Sequence, residues 1–289
     1  MDKPVVIGYD GSPASAAAAR WAASAAQRLG LRVRMIHAVH RPVVHSSGGA
    51  AAGLGMDVLV RPAEQLLDRA CEELRAGYPG VLIDADVRIG EAVPILLRAA
   101  TEASLLVLGS RGLGELRDRA EGSVMAHLAT GASCPVVVVP EGWTAQPDRH
   151  APVVVGIDGS ELSRKAVAFA FAYAERTGAS VTAVLAWRDS QSTGPGDMLF
   201  PVQDLEVVEE DGAAELGEAI AGQAVDHPDV QVTEKLVHGT ASTVLVGESE
   251  GAELLVVGSR GRGPVRGLLL GSVSRAVLRH AACPVAVVR

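Results

Sequence analysis

Nine residues separate Gly109-Ser110-Arg111-Gly112 from Gly122-Ser123, and nine separate Gly258-Ser259-Arg260-Gly261 from Gly271-Ser272. Each set follows a short apolar run, at 105–108 or 254–257, and each leads into a stretch of helical character. A glycine-rich turn between a buried strand and a helix start aims bare backbone N–H groups at one point, which suits an anion, above all a phosphate. Gly109, Gly112, Gly258 and Gly261 would permit tight turns and close backbone approach to such a group, and Gly114 and Gly263 extend the same loops. Ser123 and Val124, and Ser272, Val273 and Ser274, fall in the first turns of the helices that follow, where amides and hydroxyls donate to oxygens. Where the second copy has Ser274 the first has Met125, one hydroxyl fewer.

Cations accompany both loops. Arg260, Arg262 and Arg266 stand together in an otherwise acidic half, whereas Arg111, Arg117 and Arg119 are offset by Glu115, Asp118 and Glu121. The second site is therefore expected to bind an anion more tightly than the first. Asp10 and Asp158, each in Asp-Gly-Ser, end the first strands; such a carboxylate can accept from ligand donors, make an Asx turn at the helix start, or do both. Gly8 and Gly156 beside them would admit a ligand to the strand or serve sheet packing alone.

Catalytic chemistry has little to work with. A P-loop needs Gly-Lys-Ser/Thr, and the only lysines are Lys3, Lys165 and Lys235. The eight histidines show no His-Glu-x-x-His spacing, and Cys71, Cys134 and Cys283 are too scattered for a metal knuckle or a disulfide framework. No catalytic residue and no metal ligand is assigned.

Both loops sit at corresponding places in one unit written twice. Val5–Ser12 matches Val154–Ser160 on Asp-Gly-Ser, Gly90 matches Gly239, and Ala132-Ser133-Cys134-Pro135-Val136 matches Ala281-Ala282-Cys283-Pro284-Val285, at an offset of 148 residues early and 149 later. Residues 1–141 and 153–289 are read as two domains joined by a Pro-rich linker at 142–152. Each half reads β-α-β-α-β-α-β-α-β. Ser12-Pro13 starts a first helix ending at Leu29, and Ser160 starts its counterpart ending near Thr177. Second strands are expected at Val33–Val39 and Val181–Trp187, second helices at Ala63–Ala76 and Leu205–Gln223, and third strands at Leu82–Arg88 and Gln231–Val237. Strands alternating with such helices argue for an α/β fold, a doubly wound parallel sheet in each half. Ligands of such sheets bind beyond the carboxyl ends of the strands, where Asp10 and Gly109 both fall.

With 48% hydrophobic but only 3% aromatic residues, the cores should be built from Val, Leu, Ile and Ala. A net charge of -8, with 15 basic against 16 acidic residues in 1–150 and 11 against 18 in 151–289, argues against nucleic acid or an anionic membrane as partner. No leader-like apolar core opens the chain and no apolar stretch approaches the ~20 residues of a membrane span, so a cytoplasmic location is expected.

These residues resemble the universal stress protein family in its tandem form, over almost the whole chain. The resemblance rests on Val155-Gly156-Ile157-Asp158-Gly159-Ser160, on 256–263 (Val-Val-Gly-Ser-Arg-Gly-Arg-Gly), on 270–274 (Leu-Gly-Ser-Val-Ser) and on Cys283-Pro284-Val285. It implies two five-stranded, mostly parallel α/β sandwiches of the Rossmann-like, adenine nucleotide alpha-hydrolase-like kind. It also implies an ATP site, with or without Mg, in the branch with Gly-x2-Gly-x9-Gly-Ser/Thr, which both halves satisfy. Asp10 and Asp158 would then take adenine or ribose donors, and Ala38 and Ala186 would pack the adenine edge. Asp189 could take ribose hydroxyls as an acid does in dinucleotide folds. The β-branched last strands invite pairing at their edges, and the family pairs domains there, so the two halves are expected to dock within one chain and a homodimer is plausible. The implied role is a nucleotide-dependent regulator of stress response, growth arrest or dormancy, with at most slow ATP hydrolysis and a regulatory protein partner still to be identified. The alternative is an enzyme of the same superfamily, an ATPase or pyrophosphatase. The Ser-Gly-Gly-x-Asp-Ser loop of the pyrophosphatases is absent: 9–13 reads Tyr-Asp-Gly-Ser-Pro and 157–161 reads Ile-Asp-Gly-Ser-Glu.

Overall fold

The computed structural model describes residues 2–40, 57–111, 123–144, 151–188, 205–262 and 270–289. The chain divides into two compact units, Met1–Ala145 and Gln146–Arg289. In the first unit strands β1 (Val5–Gly8), β2 (Val33–Val39), β3 (Ile83–Ile89), β4 (Leu105–Gly109) and β5 (Val136–Val139) alternate with helices α1 (Pro13–Leu29), α2 (Asp57–Gly77), α3 (Ala92–Ala100) and α4 (Ser123–Gly131). The second repeats the order with β6 (Val153–Ile157), α5 (Glu161–Thr177), β7 (Val181–Trp187), α6 (Leu205–Asp226), β8 (Val232–His238), α7 (Ala241–Glu248), β9 (Leu254–Gly258), α8 (Ser272–His280) and β10 (Val285–Val288).

Each unit builds a parallel sheet, β3-β2-β1-β4-β5 in the first and β10-β9-β6-β7-β8 in the second. The registers coincide as well: Ile7 lies beside Val107, and its counterpart Val155 beside Val256. The α/β reading of the sequence therefore holds in both halves. The central strands are buried on both faces, with Leu105, Leu106, Val107 and Leu108 all below a tenth exposed, which is why they read as unbroken apolar runs. The edge strands β3 and β8 carry Asp84, Asp86, Arg88, Glu234 and Lys235, and charges at an edge discourage stray strand pairing.

The first helix of each unit starts and stops where its caps dictate. Ser12 Oγ accepts from the Ser15 N–H at 3.1 Å and Ser160 Oγ from the Ser163 N–H at 3.1 Å. Gly30 (φ 65°) and Gly178 (φ 72°) end these helices in the left-handed region. Elsewhere the boundaries move. Both third strands begin and end one residue later than the sequence suggests, and α2 begins at Asp57, not at Ala63. Pro62 lacks an N–H, yet the helix runs through it and forgoes one donor near its beginning. The linker read at 142–152 falls partly outside the described residues.

Core volume is distributed unequally between the repeats. Phe171 on α5 is fully buried, and its counterpart on α1 is Ala23, also fully buried. Phe171→Ala should lower the stability of the second unit by about 3–5 kcal/mol, read as a shifted denaturation midpoint. The thiols are also sequestered. Burial pushes Cys134 up to about 11 and Cys283 up to about 12, and raises Cys71 as well. A thiol-exchange reagent at about pH 8 should find no fast-reacting cysteine in the native protein and all three after unfolding. Because the folded values are raised, this contribution to stability is complete below the free-thiol value and fades as pH climbs towards about 11 and 12.

Candidate functional site

Beyond the carboxyl ends of β1 and β6 the chain makes the same turn twice. Asp10 Oδ1 accepts from the Ser12 N–H at 3.0 Å, and Asp158 Oδ1 from the Ser160 N–H at 3.0 Å. Gly11 (φ 81°) and Gly159 (φ 69°) supply the left-handed residue these Asx turns need. The structural role read for Asp10 and Asp158 is thus present in both halves, and in each it engages a single carboxylate oxygen of the turn.

Two residues that the sequence reading passed over secure this turn from below. The Asp10 N–H donates to Ser15 Oγ at 3.4 Å and the Asp158 N–H to Ser163 Oγ at 3.2 Å. Both serines are buried. Their signal was available: a hydroxyl recurring at the repeat offset within an otherwise apolar helix face.

The glycine loops leave β4 and β9 directly above these turns. A Cβ on Gly109 would stand 2.5 Å from the Ala14 carbonyl carbon and 2.7 Å from the Ser15 nitrogen. On Gly258 it would stand 3.1 Å from Leu162 Cβ and 3.2 Å from its carbonyl carbon. Both glycines therefore admit the first turn of a helix. Gly8 and Gly156 have neighbours too: Leu108 and Leu96 in the first unit, Leu245 in the second, lie where a side chain would go. Gly8 and Asp10 fall on one sheet face by alternation, and so does Ala38, since Gly8 pairs with Ile36. Ala38 and Ala186 are half-buried.

Beyond the glycines the ladder continues for one residue. The Ser110 N–H donates to Val139 O at 2.9 Å and the Ser259 N–H to Val288 O at 2.8 Å. In the first unit Ser110 Oγ accepts from the Glu141 N–H at 3.0 Å, Ser12 Oγ donates to Arg111 O at 3.3 Å, and Arg111 pairs with Glu141 at 3.4 Å. In the second unit the helix start is drawn back onto the loop. The Gly271 N–H donates to Ser259 O at 2.9 Å, and the buried Ser274 hydroxyl donates to Gly258 O at 2.7 Å. Gly271 at the start of α8 has no side chain to cap it, and among the described residues no side-chain acceptor meets the amides of its first turn. Ser272 is exposed and Val273 half-buried at that turn, and in the first unit Val124 is exposed.

Arg260 is exposed, and Arg262 is committed to the protein. The Arg262 N–H donates to Asp158 Oδ2 at 3.3 Å and its guanidinium pairs with Glu215 on α6. Gly261 lies so close to Asp158 Oδ2 that a Cβ would overlap it, and the Arg262 and Glu215 side chains fill the place a Cβ on Gly159 would take. The expectation of a tighter second site counted Arg262 as an available cation, and the sequence reading gave no role to Glu215. Gly112, Gly114, Arg119, Gly122, Asp189 and Gly263 lie outside the described residues, as does the side chain of Ser123. Among the described residues no three His, Cys, Asp or Glu side chains gather as metal ligands, and no helix is long and apolar enough to cross a membrane.

The profile of the universal stress protein family matches residues 1–140 and 150–289. The chain is 35% identical over 303 residues to a universal stress protein of Mycobacterium tuberculosis, covering 100% of this chain and 99% of that one. A second from the same organism is 34% identical over 300 residues, with 99% and 96% covered. Among solved structures, a universal stress protein from Archaeoglobus fulgidus superposes with a TM-score of 0.69 at 20% identity, covering 99% of this chain and 98% of that one. At that identity the likeness speaks to fold.

Gly109→Ala should cost about 2–4 kcal/mol, because helix backbone cannot give way as a side chain can. Gly258→Ala should cost less, its nearest contacts being looser. Chemical denaturation of the two variants checks the order.

Proposed function

The chain belongs to the universal stress protein family as two tandem copies of its domain, and from that premise we propose that it binds ATP, or another adenine nucleotide, at the sheet edge of each unit. The observation that carries this reading is the convergence in the second unit. The Asp158 carboxylate, the Gly258–Arg262 loop and the uncapped first turn of α8 meet beyond the ends of β6 and β9. That edge is where doubly wound sheets take ligands, and main-chain N–H groups at a helix start suit phosphate.

The residues present fit such a group. The α8 amides, with the hydroxyl of Ser272, would hold phosphate oxygens. Asp158 would accept from adenine or ribose donors, a contact that replaces its bond to the Arg262 N–H. Ala186, half-buried near the end of β7, would pack the adenine edge. The equivalent positions in the first unit are Asp10, Ala38 and the first turn of α4. ATP would bring any Mg with its own phosphates.

With no lysine in either loop, binding is the function proposed, and hydrolysis at most slow. Nucleotide occupancy would change the order of the loops and through them the contacts of a regulatory protein partner, in stress response, growth arrest or dormancy. A homodimer belongs to the same proposal. An ATPase or pyrophosphatase remains the second reading only through the superfamily, with no feature of these loops favouring it.

Mass spectrometry of small molecules released from freshly purified protein should show an adenine nucleotide, and calorimetric titration of stripped protein with ATP should show binding. Asp158→Asn keeps an acceptor for the Ser160 N–H but removes the charge. It should weaken ATP binding about tenfold, roughly 1.4 kcal/mol, while leaving the denaturation midpoint nearly unmoved. A chain that neither carries nor takes up adenylate would end the proposal.

A further inference from the structure

The Glu215–Arg262 pair has no counterpart in the first unit. At the repeat offset of 149, Glu215 corresponds to Leu66 and Arg262 to Leu113. Leu66 does in the first unit what Glu215 does in the second: its methyl groups lie 3.1 Å from where a Cβ on Gly11 would be. Leu113 lies outside the described residues, so the comparison at that position is one of sequence. Both members of the pair have changed together between the repeats, apolar with apolar and acid with base.

We propose that the Glu215–Arg262 ion pair is a latch. It holds the second glycine loop down on the Asp158-Gly159-Ser160 turn, and an incoming polyphosphate must break it, so that salt, by screening the pair, loosens the loop over that turn. Three observations support this. The guanidinium lies across Gly159, the backbone N–H of the same residue donates to Asp158 Oδ2, and Gly261 abuts that oxygen with no room for a Cβ. The loop is therefore held by one charged side chain and one amide on the two sides of a single residue. While it is paired with Glu215 the Arg262 guanidinium is not available to an anion, and it becomes so only by turning away from that carboxylate. The Arg262 side chain is 61% exposed and that of Glu215 32%. Such a pair is weak enough to exchange partners and open enough for salt to screen. In the first unit Leu66 covers the Gly11 turn without charge, and the exposed pair on that loop, Arg111 with Glu141, does not reach across the turn. The latch stands on the protein's own geometry, and only its competition with polyphosphate rests on the nucleotide reading above.

Hydrogen exchange on the full chain without nucleotide, at about 0.05 M and about 0.5 M NaCl, reads the latch through the amides of 258–262. In the native protein, exchange there should quicken severalfold at the higher salt. In Glu215→Gln it should be fast at both. The double variant Glu215→Leu/Arg262→Leu copies the residues of the first unit and should be slow at both, which separates loss of the latch from general loosening. Equal exchange in the native protein and Glu215→Gln at both salts would overturn the proposal. Titration with ATP at the lower salt should then show Glu215→Gln binding about two- to fivefold more tightly at the second site. Unchanged affinity beside altered exchange would overturn the competition. If neither protein takes up ATP while their exchange still differs, the latch stands and the nucleotide reading fails.

Discussion

Everything at the sheet edge depends on how closely the first turn of a helix can approach the strand beside it. Gly109 lies against the backbone of Ala14 and Ser15, and Gly258 against that of Leu162. Side-chain contacts can be relieved by a rotamer change, but two backbones cannot, so a glycine at that point sets the distance between strand and helix. The Asx turn of Asp10 or Asp158 then falls under the loop leaving the neighbouring strand. Ser15 and Ser163 lock its lower side by accepting the N–H of the same aspartate. The site is thus a consequence of one close contact and the hydrogen bonds that follow from it.

The two repeats share this frame and differ in what is laid over it. Ser274 ties the start of α8 to Gly258, whereas Met125 has no hydroxyl to do so. Leu66 covers Gly11 with methyl groups, and Glu215 with Arg262 covers Gly159 with charge. A duplicated domain can keep its architecture while these covering residues diverge, because none of them takes part in the sheet and, apart from the buried Ser274, none belongs to a buried helix face. Divergence at such positions alters how each loop opens and leaves the fold unchanged.

Local order was legible without coordinates. The caps at Ser12 and Ser160 and the limits of α1, α5, β2 and β7 follow from turn chemistry and from apolar runs that end in Gly, Asp or Pro. Where a boundary moved, as at the start of α2, the helix runs through Pro62, a residue that local propensity disfavours inside a helix. The candidate site was half visible. Asp-Gly-Ser and the glycine loops announced themselves by recurring, but Gly109 and Gly258 were read for tight turns and close approach to a phosphate, and the room that their missing side chains leave for a helix was not visible.

Sequence alone determined the duplication, the alternation of strands and helices, the family and the residues that face the sheet edge, because each is written in short-range spacing repeated twice. Tertiary structure alone decided which atoms fill the space over each glycine. The Arg262 amide meets Asp158 across 104 positions, and its guanidinium meets Glu215 across 47. No local periodicity records such a meeting. It exists because strand order places β9 beside β6, and α6 folds back over the same turn.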